Sequence, residues 1–157
     1  MRPPIQTQQL PGNRLLSDDP QLLNRAEIHA FLSIDSYWCK NIPYETLDDA
    51  INNSYCFGIT ENGHQLAFAR LVTDYATFAY LCDVYVAESA RKQGLSKIMM
   101  TFWMEQDWIK KSRRLLLATQ DAHTLYTQFG FEALANPQNF LTIARPTIYN
   151  DLSNTCI

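Results

Sequence analysis

Several features that mark particular classes of protein are missing from this sequence. No apolar run in its 157 residues approaches the length of a membrane-spanning helix, and the polar N-terminal stretch MRPPIQTQQ has no apolar signal-peptide core. The formal net charge of −3 argues against a nucleic-acid surface as the main partner. The four cysteines form neither a CxxC pair nor a metal-ligand spacing. We therefore expect a cytoplasmic protein with reduced thiols that holds no metal and binds neither membranes nor nucleic acid.

Length and composition favour a single folded domain over residues 1–157. Hydrophobic residues make up 46 % of the chain and charged residues 18 %, which is enough apolar material for one core and too little charge for a disordered chain. Three prolines and no periodicity over residues 1–12 predict a flexible or loosely docked leader. Residues 146–157 are predicted to form a surface tail.

The N-terminal half reads as helices followed by an antiparallel meander. Asp18-Asp19-Pro20 is typical of a helix start, and Asn62-Gly63 is a strong hairpin signal because both residues tolerate positive φ. The predicted strands and helices are, in chain order, a short strand at 13–17, helices over 18–33 and 44–52, and strands over 54–60, 65–73 and 77–86.

The C-terminal half predicts a crossover from that last strand to a parallel neighbour. Apolar residues at the helical period indicate a helix from Leu95 to Ile109, and the apolar run 113–118 is typical of a strand covered on both faces. Asp121 is expected to cap a short helix over 122–129, and the last strands are expected near Leu134 and over 140–144. The pattern indicates an α+β layered fold.

The segment Arg91-Lys92-Gln93-Gly94-Leu95-Ser96 joins the 77–86 strand to the following helix. The first turn of a helix has unpaired N–H groups and partial positive charge, and a glycine there lets a phosphate approach the backbone. Many such turns bind nothing, however, and this one fits neither the dinucleotide fingerprint nor the P-loop. The pattern alone leaves both interpretations open.

Two stretches resemble a known family. Val84-Tyr85-Val86 followed by Arg91-x-x-Gly94-x-Ser96 resembles the acyl-CoA signature of the GNAT superfamily of N-acetyltransferases, and 122–131 (AHTLYTQFGF) resembles its A-x-x-L-Y-x-x-x-G-F segment. The resemblance covers about 54–131. Ser96 and Thr119 depart from the usual residues, which are Gly or Ala at the first position and often Asn at the second.

The resemblance implies a GNAT fold and acetyl-CoA as co-substrate. That fold has a mixed sheet of about six to seven strands, an N-terminal antiparallel meander and about four flanking helices. The strands after Val86 and Ala118 are expected to splay apart, with the coenzyme pairing like an extra strand. The implied coenzyme-binding residues are Tyr85, Val86, Arg91, Lys92, Gln93, Gly94, Leu95, Ser96 and Thr119.

Catalysis is assigned to two residues. Tyr126 occupies the family position of a tyrosine that protonates the leaving sulfur, although a core tyrosine is the alternative from the residues alone. Asp83, a carboxylate inside an apolar strand, is the candidate base, because a buried carboxylate needs either a partner or a purpose. It could instead pair with Arg70 and organise the sheet, or a water chain could serve as the base.

The acceptor is expected to be a small-molecule primary amine. The predicted pocket residues are aromatic and acidic, which favours a cationic amine: Tyr37, Trp38, Asp74 and Tyr80, with Asp83. From the residues alone Trp38 could instead cap the core, but the resemblance implies that the loop between the first two helices lies over the amine site. Acetylation of a protein N-terminus or lysine, or a non-catalytic acyl-CoA sensor, are the alternatives. The resemblance also implies a homodimer formed through the last strands.

Overall fold

A computed structural model describes residues 2–152, with side chains to residue 150. Within that range six strands form one sheet, in the order in which they occur along the chain. All neighbouring strands are antiparallel except the last two, which are parallel. The predicted mixed α+β sheet is therefore confirmed. The strands are Thr7–Leu10 (β1), Arg14–Ser17 (β2), Tyr55–Glu61 (β3), His64–Thr73 (β4), Phe78–Val86 (β5) and Arg114–Leu117 (β6).

Helices cover both faces of this sheet. On one face Ile28 of the helix Arg25–Ala30 (α1) and Leu47 of the helix Tyr44–Asn52 (α2) are buried with β-strand residues such as Phe68. Leu32, in the π-helical turn Phe31–Asp35 that follows α1, joins the same cluster. On the other, α3 and α4 bury Met99, Trp103 and Ile109. Burying a large apolar side chain contributes roughly 1.5–3 kcal/mol, so these two clusters hold the layers together. The α-helices of the described residues are Arg25–Ala30 (α1), Tyr44–Asn52 (α2), Leu95–Met104 (α3), Asp107–Lys111 (α4), His123–Thr127 (α5) and Ile148–Leu152 (α6).

The β3–β4 hairpin forms as its sequence predicts. Asn62 and Gly63 have φ of 52° and 83°, the positive values that a tight hairpin turn requires.

The predicted leader over 1–12 is instead partly built into the sheet. β1 pairs with β2 along its whole length. Asp18, which is 2 % exposed, accepts hydrogen bonds from the Gln6 N–H at 2.6 Å and from the Tyr55 hydroxyl at 2.8 Å. Asp18 therefore fixes the N-terminal segment rather than starting a helix. A short 3₁₀ turn at Pro20–Leu22 precedes α1, which begins at Arg25 with Asn24 as its cap.

The helix predicted from Leu95 to Ile109 is divided in two. Gln106 is extended (ψ 131°), and its side-chain amide donates to the Phe102 carbonyl at 3.0 Å. That carbonyl would have accepted the Gln106 backbone N–H in a continuous helix. The side chain thus ends α3 at Met104, and α4 begins one turn later.

The strands predicted at Leu134 and over 140–144 are absent from the described residues. Leu141 and Ile143 are 98 % and 89 % exposed, so an alternating apolar face finds nothing to pack against. Phe140 lies instead beside the Arg114 guanidinium, 5.5 Å from ring centroid to carbon. The homodimer expected through these strands stays a prediction.

The predicted surface tail is helical at its start. Within α6, Tyr149 packs against the cluster under α1 and α2, and the Asn41 side-chain amide donates to Asn150 at 2.7 Å. Residues 153–157, with Cys156, lie outside the described range.

Candidate functional site

A cleft opens where β5 and β6 part. Their parallel pairing ends at Leu81 and Leu117, yet β5 continues to Val86. The cleft between them has a volume of about 330 Å³. The resemblance implied a parting after Val86 and Ala118; on β5 the pairing with β6 instead ends five residues earlier, at Leu81.

A β-bulge shapes the β5 wall of this cleft. Arg70 pairs with Cys82 and Phe68 with Tyr85, so Ala69 alone faces both Asp83 and Val84. Asp83 has φ of 53°, a left-handed conformation that is unusual for a non-glycine residue. An extra residue of this kind kinks a strand and redirects its side chains, which favours separation from β6.

The side chain of Asp83 is held by two residues from other parts of the chain. Its carboxylate accepts from Arg70 Nε at 2.6 Å and from Trp38 Nε1 at 3.1 Å. Arg70 also donates to the Ser54 hydroxyl at 3.0 Å. Burial lowers the pKa of Arg70, but the Asp83 carboxylate, foremost among several opposing neighbours, raises it, and the net pKa lies above its usual value.

The contacts of Asp83 favour the structural alternative over the general base. Both of its oxygens accept hydrogen bonds, and one is in an ion pair whose side chains are 17 % (Arg70) and 9 % (Asp83) exposed. These contacts give the carboxylate a structural role as the counter-charge of Arg70 and the acceptor for Trp38. Asp83 thus joins the sheet to Trp38 at the rim of the cleft.

Aromatic side chains form the opposite rim. Tyr37 and Trp38, in the loop after α1, meet edge to face with ring centroids 4.9 Å apart, and both line the cleft with Tyr80. The predicted acceptor residue Asp74 does not line it. Asp74 lies in the β4–β5 turn, where its carboxylate accepts from the Thr77 hydroxyl and from three backbone N–H groups. These hydrogen bonds, led by those from Thr77, lower the pKa of Asp74.

Tyr126 enters the cleft from α5. The residue is 7 % exposed, its ring packs edge-on against Phe131, and its hydroxyl has no hydrogen-bond partner among the described residues. Burial, with smaller contributions from the charges of Asp121 and Tyr37, raises the pKa of Tyr126 to about 12. The phenol therefore stays protonated at neutral pH, as a proton donor must.

The loop between β6 and α5 supplies a further wall. The predicted Asp121 cap does not form; instead the Thr119 hydroxyl accepts from the Ala122 N–H at 3.1 Å, inside the turn. Thr119 lines the cleft, as expected for a residue near the coenzyme, and so do Gln120 and Asp121. For Gln120 and Asp121 the sequence offers one signal, which is that they follow closely after β6, the strand that ends at the cleft.

The glycine turn has the geometry of an anion cradle. Gly94 has φ of 77° and immediately precedes α3, a helix of ten residues, and a Cβ at Gly94 would have nothing within 4 Å. The open space and the unpaired N–H groups of the first helical turn suit a pyrophosphate. Leu95 is buried and anchors the turn, while Arg91, Lys92, Gln93 and Ser96 surround it. The residues present fit the phosphate end of coenzyme A.

Arg14 on β2 is a residue at this cradle that the sequence did not reveal. Its Nη2 donates to the Gln93 side chain at 2.8 Å, and its Nε pairs with Glu61 at 2.9 Å. Because Arg14 is 79 residues away from Gln93 along the chain, only the folded sheet could bring the two together. The contact positions the loop that carries Gln93.

Tyr85 requires a correction. The Ala87 N–H bonds to Leu66 of the preceding β-hairpin at 2.8 Å, and backbone groups alternate in direction along a strand. Val84 and Val86, rather than Tyr85, therefore present N–H and C=O toward the open side, where the Val86 carbonyl accepts from Arg91 Nε at 3.3 Å. The Tyr85 ring is stacked on Phe31 at 3.9 Å under α1.

The described part of the chain contains neither a membrane-spanning helix nor a cluster of metal-ligand residues. None of its helices has the length and apolar character needed to cross a membrane. Among the same residues, no group of three or more His, Cys, Asp or Glu side chains is arranged to hold a metal ion.

Comparison with known proteins agrees with this geometry. Residues 52–133, just over half of the chain, match the family described as "Acetyltransferase (GNAT) domain". A protein of Gibberella zeae, described as a "putative acetyltransferase", is 31 % identical over 142 residues, covering 77 % of this chain and 80 % of that protein.

Solved structures give the same result. A crystal structure from Xanthomonas campestris pv. campestris, described as a "putative acetyltransferase belonging to the gnat family", is 43 % identical in sequence. The match covers 87 % of this chain and 96 % of that protein, with a TM-score of 0.84. A Clostridium acetobutylicum protein, described as a predicted acetyltransferase with acetyl-CoA, is only 15 % identical and shares the fold at a TM-score of 0.61 over 84 % of this chain and 95 % of that one. The extent of the family match and the identity to full-length relatives show that this chain belongs to the GNAT family of acetyltransferases.

Proposed function

We propose that this protein transfers the acetyl group of acetyl-CoA to the primary amine of a small molecule, in a complex that holds both substrates at once. The observation that carries the proposal is the position of Tyr126, a protonated phenol in the cleft where β5 and β6 part. Membership of the GNAT family supports acetyl transfer, and the Clostridium acetobutylicum neighbour is described with acetyl-CoA.

The coenzyme would be held along the open side of β5 and at the start of α3. Free N–H groups of the glycine turn, with Arg91 and Lys92 nearby, suit the pyrophosphate. The outward-facing backbone groups of Val84 and Val86 suit the amides of the pantetheine arm, in the manner of an added strand. Arg91 would have to release the Val86 carbonyl that it contacts at 3.3 Å.

Bound acetyl-CoA supplies a thioester, whose carbonyl carbon forms the new bond to nitrogen as its bond to sulfur breaks. Tyr126 donates its proton to the departing sulfur and is reprotonated from solvent. A protonated alkylamine, with a pKa near roughly 10, must lose a proton before it attacks, and because Asp83 is paired we assign that step to water in the cleft. The remaining acceleration comes from holding the two substrates in contact.

Cleft size favours a small acceptor over a protein. A volume of about 330 Å³ lies at the lower end of the range of roughly 300–1,000 Å³ for small-molecule pockets. Tyr37, Trp38 and Tyr80 line this cleft with aromatic rings.

The direct test is thiol release from acetyl-CoA across a panel of amines, polyamines and peptides, with Tyr126→Phe beside wild type. We expect turnover with small amines and a loss of about 10²-fold or more in kcat for the variant, with coenzyme affinity unchanged, because general acids contribute on this scale. Tyr44→Phe, on the exposed surface of α2, is the matched control and should retain full activity.

Other outcomes would redirect the proposal. If Tyr126→Phe turned over as fast as wild type, Tyr126 would not be the general acid. Turnover of peptides alone would indicate a protein acceptor. Coenzyme binding by calorimetry without any turnover would favour the acyl-CoA sensor.

A further inference from the structure

The cleft contains one carboxylate whose role is unassigned. Of the described residues that line it, the only acidic ones are Asp83 and Asp121, and none is basic. Asp83 is occupied by Arg70 and Trp38. Asp121 is exposed, and its carboxylate makes no hydrogen bond or ion pair with any described residue. The negative charge that the cleft offers to a ligand therefore belongs to Asp121.

The turn before α5 explains why this carboxylate is available. An aspartate at the cap of a helix commonly bonds to the first N–H groups of that helix, but the cap of α5 is Ala122 and Asp121 precedes it. Here no side-chain cap bond forms at α5, and the Thr119 hydroxyl takes the Ala122 N–H. Thr119 thereby satisfies the turn and leaves Asp121 at the cleft wall.

The surroundings of Asp121 suit a positive charge. Four rings line the same cleft, those of Tyr37, Trp38, Tyr80 and Tyr126, and the faces of aromatic rings attract cations. The carboxylate is also close enough to Tyr126 to be one of the causes of that residue's raised pKa. A cation held by Asp121 would accordingly lie beside the proposed acid.

We propose that Asp121 binds the ammonium group of the acceptor before that group is deprotonated, and so selects acceptors that are cationic at neutral pH. This role rests on the proposed acetyl transfer and names the class of its acceptor. It replaces Asp74, which the fold holds in the β4–β5 turn, as the acidic residue of the acceptor site.

A pair of acceptors with the same carbon skeleton separates charge recognition from general damage. Butylamine is protonated at neutral pH, whereas the corresponding alkoxyamine is an uncharged nucleophile. In Asp121→Asn we expect the KM for butylamine to rise about tenfold, while the KM for the alkoxyamine and for acetyl-CoA stay within twofold. Asp49→Asn, which removes an exposed carboxylate from α2 outside the cleft, should change none of these values.

Equal effects of Asp121→Asn on both acceptors, or no effect on either, would overturn the proposal. The cation site can also be tested without turnover, by measuring the binding of butylammonium to the coenzyme A complex with calorimetry. If wild type transfers acetyl to neither acceptor but binds butylammonium, and Asp121→Asn loses that binding, the cation site stands and the proposed reaction fails. If wild type and variant bind it equally, or neither binds it, the cation site itself is wrong.

Discussion

Replacing Asp83 by Asn removes one charge from the bulge of β5 and nearly preserves the shape of the side chain. The native carboxylate contacts Arg70 Nε at 2.6 Å and Trp38 Nε1 at 3.1 Å. An Asn amide oxygen could still accept one of these hydrogen bonds, and Asn tolerates the positive φ of this position. What the variant loses is the compensation of the Arg70 charge.

The cost follows from how deeply the pair is buried. With side chains 17 % and 9 % exposed, the pair belongs with buried ion pairs, for which removing one partner costs roughly 3–5 kcal/mol. Because Asn retains one hydrogen bond, we expect Asp83→Asn to lose about 3 kcal/mol of unfolding free energy, the lower end of this range. For a chain of this length each kcal/mol lowers Tm by roughly 2–4 °C, so we expect a decrease of about 6–12 °C.

A double-mutant cycle measures the interaction itself. Arg70→Met removes the guanidinium and keeps an unbranched side chain, so Arg70→Met/Asp83→Asn should be less destabilised than the sum of the single variants, by about 2 kcal/mol in urea-unfolding free energy. Asp48→Asn, which breaks the more exposed Arg25–Asp48 pair, should lose much less stability. Additive single effects would refute the conclusion that the two charges compensate each other.

The same variant separates structure from catalysis. If Asp83 positions Trp38, Asp83→Asn at a temperature where it is fully folded should raise the acceptor KM and leave the kcat pH profile in place. Loss of an acidic limb in that profile, without loss of stability, would restore Asp83 as the general base.

Three further predictions concern the coenzyme end and the acid. Gly94→Ala should cost about 1 kcal/mol of stability, because φ is 77°, and should also weaken coenzyme A binding measured by calorimetry; Gly63→Ala, with φ of 83° and equally open space, should lose similar stability without affecting the coenzyme. Since burial raises the pKa of Tyr126 to about 12, its neutral form persists past the usual value of 10, and kcat should fall only as pH approaches 12; a fall centred near 10 in stopped-flow assays would contradict this. Arg14→Gln should raise the KM for acetyl-CoA about threefold at constant kcat, because the loop carrying Gln93 loses a 2.8 Å contact; an unchanged KM would deny Arg14 a positioning role.

Local signals in the sequence were sufficient for most of the fold. The helix Tyr44–Asn52 and the Asn62-Gly63 turn formed as predicted, because periodicity and turn chemistry act over neighbouring residues. The predictions that were wrong depended on which partner a polar side chain finds, whether near or far along the chain; the Gln106 amide, for example, bonds to the Phe102 carbonyl and ends α3. Asp18 has the composition of a helix start, but Tyr55 and the Gln6 N–H draw it into the core.

The acceptor side of the site was predictable only in its aromatic part. Tyr37 and Trp38 could be assigned from an unusual loop, and both line the cleft. The sequence predicts Asp74 as the acidic acceptor residue and Asp121 only as a helix cap, whereas Asp121 lines the cleft and Asp74 does not. Each is an aspartate in a turn, and its role depends on which neighbours satisfy the backbone. The Asp74 carboxylate accepts hydrogen bonds from the Thr77 and Phe78 N–H groups. In the turn beside Asp121, the Thr119 hydroxyl accepts a hydrogen bond from the Ala122 N–H, and the Asp121 carboxylate is left available.

The bulge at Asp83 shows how one long-range ion pair can shape a whole site. Nothing around Asp83 predicts a left-handed residue, since no glycine is near and the run reads as a regular strand. Arg70 and Trp38 are 13 and 45 residues away, and together they hold the carboxylate on the face of α1 and α2. Because Ala69 then opposes two residues instead of one, β5 bends, and pairing with β6 ends at Leu81. The opening that exposes Tyr126 therefore lies next to the bulge that carries the Arg70–Asp83 ion pair.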